Sequence, residues 1–171
     1  MSPKPFEPFG ITTFCDDIRY ELGGKYSLVG IYRDDLLIQG ATFPATLPKL
    51  ALSITLLFHP ALPPMPPLDI KISFPGDDEN TPSFGGRFET SIEPVPDAPQ
   101  DTRRSLNLHF ILSPIILKEP GSIKVRLHDQ VRIIKAGTLD VRAAEVQENR
   151  LLRLANLPPT TGLLTTHKPV T

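Results

Sequence analysis

The chain has 171 residues, 40% of them hydrophobic, which is enough for one domain with its own core. A net charge of −1 gives no global field to recruit nucleic acid or an anionic membrane; with no tryptophan and three tyrosines, rings for stacking bases or sugars are few. Cys15 is the single cysteine, which excludes an intramolecular disulfide and a Cys₂ or Cys₄ zinc site.

Residues 1–9 read as an irregular lead-in: Pro3, Pro5, Pro8, Lys4 and Glu7 leave no apolar run, so a secretory signal is not expected. Ile11 to Glu21 reads as a first strand, with Phe14 and Ile18 on one parity. Gly23-Gly24 has the chemistry of a two-residue hairpin turn, because glycine takes a positive φ without steric cost. Lys25 to Tyr32 is the return strand, and Gly30 within it predicts a bulge or a close backbone approach. Asp34-Asp35 turns the chain into a short strand, Leu36 to Ile38. Phe43 to Pro48 reads as a proline-bounded crossover.

The clearest element is Leu50 to Phe58. Leu50, Leu52, Ile54, Leu56 and Phe58 share one parity, while Lys49, Ala51, Ser53 and Thr55 share the other. Successive strand side chains point to opposite faces, so one face is buried and the other lies near water. The prolines between Pro60 and Pro67 exclude a helix or a central strand there. Leu68, Ile70, Ile72 and Phe74 then alternate with Asp69, Lys71 and Ser73. A polar loop with Asp77, Asp78 and Glu79 leads to a strand over Arg87 to Ile92, with Phe88 and Ile92 inward. Beyond a proline-rich loop, Leu106, Leu108, Phe110 and Leu112 face inward against Ser105, Asn107 and His109. Pro120-Gly121 turns the chain, and Ile123, Val125 and Leu127 alternate with Lys124, Arg126 and His128. Val131 to Ile134 is a further strand, and Leu139 and Val141 end the pattern beyond Gly137. From Ala143 the residues are good helix formers, which predicts a short helix over 143–157, stopped by Pro158-Pro159. Residues 158–171 read as a flexible tail.

About eight to ten short strands with turns every 8–12 residues indicate an all-β fold. The expected architecture is a two-sheet antiparallel β-sandwich over residues 10–142, Ig-like or C2-like, preferred to a closed barrel because each strand has one face to bury against a second sheet.

Cys15-Asp16-Asp17-Ile18-Arg19, then Glu21, Gly23-Gly24-Lys25, Ser27-Leu28, Gly30 and Tyr32, resemble the opening hairpin of a family of small uncharacterised bacterial proteins. Leu47-Pro48-Lys49-Leu50 is similar to a second piece of that family. The resemblance covers the first third of the chain. It implies a bacterial single-domain β protein, and it brings no activity and no catalytic residues.

Among the polar residues, the acidic groups Asp34-Asp35 and Asp77-Asp78-Glu79 stand near strand ends, as does Asp16-Asp17. Loops at one end of a sandwich can supply the six to eight oxygens that calcium takes. Asp is also an ordinary turn former, and Asp16 or Asp17 can instead pair with Arg19, Arg33 or backbone amides. His109 and His128 fall on the polar parity of their strands and would approach each other if those strands were neighbours, but no third metal ligand is evident. Gly23-Gly24-Lys25 lacks phosphate-loop spacing. Cys15 beside two carboxylates is not an activated nucleophile. Lys124 and Arg126 share one strand face and could form a basic strip with Arg132 or Lys135. Leu151 and Leu154, with Val146 and Leu152, could dock on the domain or on a partner.

These features lead to the expectation of a non-catalytic protein-interaction module of a bacterial cytoplasm, with no cofactor, nucleic acid or integral membrane association. A homo-oligomer formed through an edge strand is compatible with it. The alternatives are a C2-like module using the acidic loops for calcium or an anionic surface, and a metal-dependent enzyme built on His109 and His128.

Overall fold

The structure is a computed structural model that describes residues 7–40, 42–59, 67–78, 81–89, 95, 98–99, 102–129 and 132–144. The described residues are all-β. Their strands are β1 (Phe9–Tyr20), β2 (Tyr26–Ile31), β3 (Asp35–Gln39), β4 (Ala45–Leu47), β5 (Leu50–Phe58), β6 (Leu68–Ser73), β7 (Phe84–Phe88), β8 (Arg104–Leu112), β9 (Ile115–Leu117), β10 (Gly121–His128) and β11 (Ile133–Ala144).

Three sheets result, not two. The first has the order β2-β1-β5-β8 and is antiparallel throughout. The second has the order β3-β11-β10-β6-β7. Its β3–β11 pairing is parallel, which departs from the antiparallel expectation. A small third sheet pairs β4 with β9.

The alternating strands build one core between the two larger sheets. Leu50, Leu52, Ile54 and Leu56 from β5 are fully buried with Ile72 of β6 and Ile123, Val125 and Leu127 of β10. Each such side chain contributes about 1.5–3 kcal/mol relative to exposure. Ala45, Ile115 and Leu117 of the third sheet are buried too. The sheets also meet at one margin, where Phe84 of β7 and Phe110 of β8 pack edge to face at 5.6 Å. They approach most closely where β1 crosses β11. A Cβ at Gly137 would lie 2.7 Å from Thr12 Cβ, so only glycine fits that crossing.

A bulge explains why β11 does not read as one strand. Opposite Val125 and Arg126 the register shifts, leaving Ala136 as the extra residue. Ile134 and Ala136 point inward before it, and Leu139 and Val141, of the other parity, point inward after it. The strand continues to Ala144, so Ala143 and Ala144 are extended where a helix is expected to begin. The rest of that expected helix and the tail lie outside the described residues.

Other boundaries move as well. The strand expected over Arg87–Ile92 is observed at Phe84–Phe88, and Phe88 is exposed rather than inward. Ile92 lies outside the described residues. The Phe43–Pro48 crossover contains β4, and β9 arises within a segment with no expected strand.

The turn at Gly23-Gly24 has a three-residue tip, with Glu21 N donating to Lys25 O at 2.9 Å. Both glycines have positive φ, 76° and 74°. Gly30, at φ 67°, is the close approach and not a bulge: pairing of β1 with β2 keeps one register from Cys15–Ile31 to Tyr20–Tyr26. A Cβ at Gly30 would meet Asp16 Cγ at 2.6 Å. The Asp16 carboxylate occupies that space and accepts a hydrogen bond from the Tyr32 hydroxyl.

Candidate functional site

The two large sheets differ in what covers their outer faces. On the first sheet the end of the β1–β2 hairpin folds across β5 toward β8. Cys15 and Ala51 carry outward parity yet are fully buried, packed with Ile18 and Leu28 in a second apolar cluster. At the far side of this cover the Tyr20 hydroxyl bonds His109 Nδ1 at 3.0 Å, and the Tyr26 ring packs edge-on to His109 at 4.4 Å. Burial pushes the Cys15 thiol pKa up, with the Asp16 and Asp17 charges acting in the same direction. A buried thiol of raised pKa stays protonated and is a poor nucleophile. The Asp17 carboxyl pKa is lowered, first by its hydrogen bond from Lys49, at 2.8 Å, with Arg19 at 3.5 Å acting in the same direction.

The outer face of the second sheet carries a different surface. Inward parity belongs to Ile123, Val125 and Leu127 on β10 and to Leu68, Ile70 and Ile72 on β6. Ser122, Lys124, Arg126 and His128 therefore point outward beside Asp69, Lys71 and Ser73. Register places Arg126 directly opposite Lys71 on one side and Lys135 on the other. Three cations thus stand in one row across three strands. Lys124 lies two residues along β10 and extends the row into a patch.

Like charges directly opposite in a sheet are destabilising. Elsewhere on this sheet the cations have carboxylates. Arg142 reaches Asp35 at 3.3 Å and Asp140 at 3.4 Å, and Arg87 reaches Asp69 at 4.0 Å. Arg132, an expected member of the strip, is paired with Asp129. Among the described residues, no carboxylate comes within ion-pair distance of Lys71, Lys124, Arg126 or Lys135.

The patch is concave. A groove of about 500 Å³ lies over the outer face of the paired strands β6 and β10, lined by Lys71, Ser73, Ser122, Lys124, Arg126 and His128. Ile133 flanks one end, and the Pro75–Asp77 turn with Glu119 flanks the other. The His128 pKa is lowered, first by burial and then by the Lys71 and Arg126 charges, with Asp69 opposing. Burial and the neighbouring cations thus favour the neutral imidazole, which carries one N–H donor. The Ser122 hydroxyl is turned to Asp140, 2.7 Å away. Its hydrogen bond, with Arg142, holds the Asp140 carboxyl below the ordinary range. This arrangement is suited to holding an anion.

The structure separates the acidic candidates. Asp35 pairs with Arg142, and Asp34 is exposed at the start of β3. Asp77 organises its own loop: it accepts from Phe74 N at 2.8 Å, Ser83 N at 2.9 Å and Ser83 Oγ at 2.6 Å, with Lys118 at 3.3 Å. Burial alone would raise its pKa, but these donors outweigh burial and lower it. Asp78 is exposed and bridges to Thr81, and Glu79 lies outside the described residues. Among the described residues no three metal-ligating side chains converge. The His109–His128 pairing is corrected as well. Those residues stand on the outer faces of different sheets, so the body of the protein separates them.

Of the interaction candidates, Lys124 and Arg126 lie in the basic groove, while Leu151 and Leu154 are outside the described residues. Sequence reasoning missed Lys71 because parity identifies an outward residue but not the strand beside it. No curated protein and no solved structure matches the chain. The model of a family of unknown function, DUF6941, matches residues 10–142, more than half of the chain, and the chain therefore belongs to that family.

Proposed function

We propose that the chain is a non-catalytic interaction module, an Ig-like β-sandwich of a bacterial cytoplasm, that binds an anionic group of a partner protein on the outer face of its second sheet. The observation carrying this reading is the cross-strand row Lys71–Arg126–Lys135, none of whose cations has a carboxylate within ion-pair distance among the described residues. A row that weakens the sheet is explained when a bound anion neutralises it. The contrast between the faces supports the assignment, since the hairpin covers part of the first sheet while the groove leaves the second accessible. The single buried cysteine fits a reducing compartment. Among the described residues no helix is long and apolar enough to cross a membrane.

The test is cross-linking capture from the native cell with the wild-type chain and with the triple variant Lys71→Glu, Lys124→Glu, Arg126→Glu, both checked for native circular dichroism. Partners captured by the wild type and lost from the variant are the expected result. The same partners on both proteins would overturn the reading.

A further inference from the structure

We propose that the groove over the outer face of β6 and β10 seats a single phosphate monoester carried on a polypeptide, gripped by Lys71, Lys124 and Arg126; this deepens the reading above and rests on it. Three features of the groove select a compact dianion.

The first is charge. Arg126 stands between two cations in register, and Lys124 adds a third neighbour within the same patch. A carboxylate brings one negative charge. A phosphate monoester brings about 1.5–2 at pH 7, with three acceptor oxygens, and can neutralise more than one of these side chains at once.

The second is the donor inventory. The groove offers two lysines and an arginine, the Ser73 hydroxyl and the His128 imidazole. These are groups that a multi-oxygen acceptor can use together.

The third is the boundary. Asp77 and Glu119 line one end of the groove, Asp140 holds Ser122 beside it, and Asp69 stands opposite His128 at the other end. The positive region is therefore short along the strands. A nucleic-acid backbone, a polyacidic stretch or a flat anionic bilayer would extend its negative charge over carboxylates that already hold their own cations, Asp69 with Arg87, Asp77 with Lys118 and Asp140 with Arg142, and so meet no surplus positive charge there. A single dianion seated centrally would not. Few aromatic side chains accompany the patch, so stacking of bases is not built in.

The experiment titrates the ¹⁵N-labelled full chain with four probes. They are a glycine-flanked phosphoserine peptide, the same peptide with glutamate, inorganic phosphate, and phosphatidylcholine vesicles containing a phosphoinositide. The expected result is that the phosphoserine peptide binds about tenfold or more tightly than the glutamate peptide. It should move the amides of Lys71, Lys124 and Arg126, and binding should be lost in both Arg126→Gln and Lys71→Met. Equal affinity for the two peptides overturns the proposal, as does binding that survives both substitutions or binding to none of the probes. Tighter binding to the vesicles assigns the site to a membrane headgroup, and binding of inorganic phosphate without the peptide assigns it to the free ion; either overturns the polypeptide assignment. Phosphatase treatment of the lysate separates this inference from the broader reading. Capture that depends on the three cations but survives phosphatase leaves the module reading standing and removes the phosphate.

Discussion

Replacing Arg126 by glutamine should stabilise the fold at low salt. The side chain faces Lys71 and Lys135 directly across the sheet. Each like-charge pair of this kind costs about 0.2–1 kcal/mol, so removing the central cation relieves about 0.4–2 kcal/mol. One loss opposes the gain. Arg126 Nη1 donates to the Val125 carbonyl at 3.1 Å, and this half-buried bond is worth about 0.5 kcal/mol, the low end for an intramolecular hydrogen bond. The net is a gain of about 0.7 kcal/mol. With a urea m-value near 2 kcal/mol/M, the midpoint rises by about 0.3 M. Salt provides the discriminating arm. At 1 M ionic strength the Debye length is about 3 Å, the repulsion is screened, and the lost hydrogen bond remains. The gain should therefore shrink to zero or reverse. The assay is urea unfolding of both proteins in 20 mM and 1 M sodium chloride, with m unchanged between them. A variant that is less stable at low salt, or a gain that ignores salt, would refute the argument that the row is repulsive.

Gly30→Ala places a methyl group against Asp16 in a left-handed backbone. It should lose about 2–3 kcal/mol, from about 1–2 for the positive φ and about 1 for the displaced Asp16–Tyr32 hydrogen bond. Thermal unfolding should show a drop of several degrees, and adding Asp16→Ala should cost little more, because the hydrogen bond it removes is already displaced. Leu52→Ala, at a fully buried site between the sheets, should cost about 2–5 kcal/mol by denaturant unfolding. Asp77→Asn should lose about 1–3 kcal/mol at pH 7, because the charged acceptor of three donors becomes an amide. Its pKa is lowered in the folded state, so this contribution is present above the ordinary carboxylate value and is lost as pH falls through the folded one. The stabilities of wild type and variant should therefore converge in acid, and parallel curves from pH 7 to pH 2 would count against the assignment.

Strands with one apolar parity and an undisturbed register were legible from their residues. Leu50–Phe58 and Leu68–Ser73 are examples, because burial of every second side chain leaves its mark directly on the sequence. Elements whose burial has another cause were not. Ile115–Leu117 is too short to establish a period, and Gly85-Gly86 in β7 offers no side chains to alternate. The Ala136 bulge divides β11 into two parities. The site was half legible for a related reason. Lys124 and Arg126 share a strand, and two residues of spacing place them on one face. Lys71 lies 55 positions before Arg126 and becomes its neighbour only through the pairing of β6 with β10, which no local pattern encodes. His109 is enclosed by tyrosines of the folded-over hairpin, again a contact set by topology.

The place of β11 between β3 and β10 has a consequence for biosynthesis. A nascent chain that has emerged only to residue 132 already holds β3, but the strand that pairs with it is still on the ribosome. The second sheet closes only when Ile133–Ala144 is free to pair, so a chain cut short before Ile133 should lack the protease resistance of the full chain.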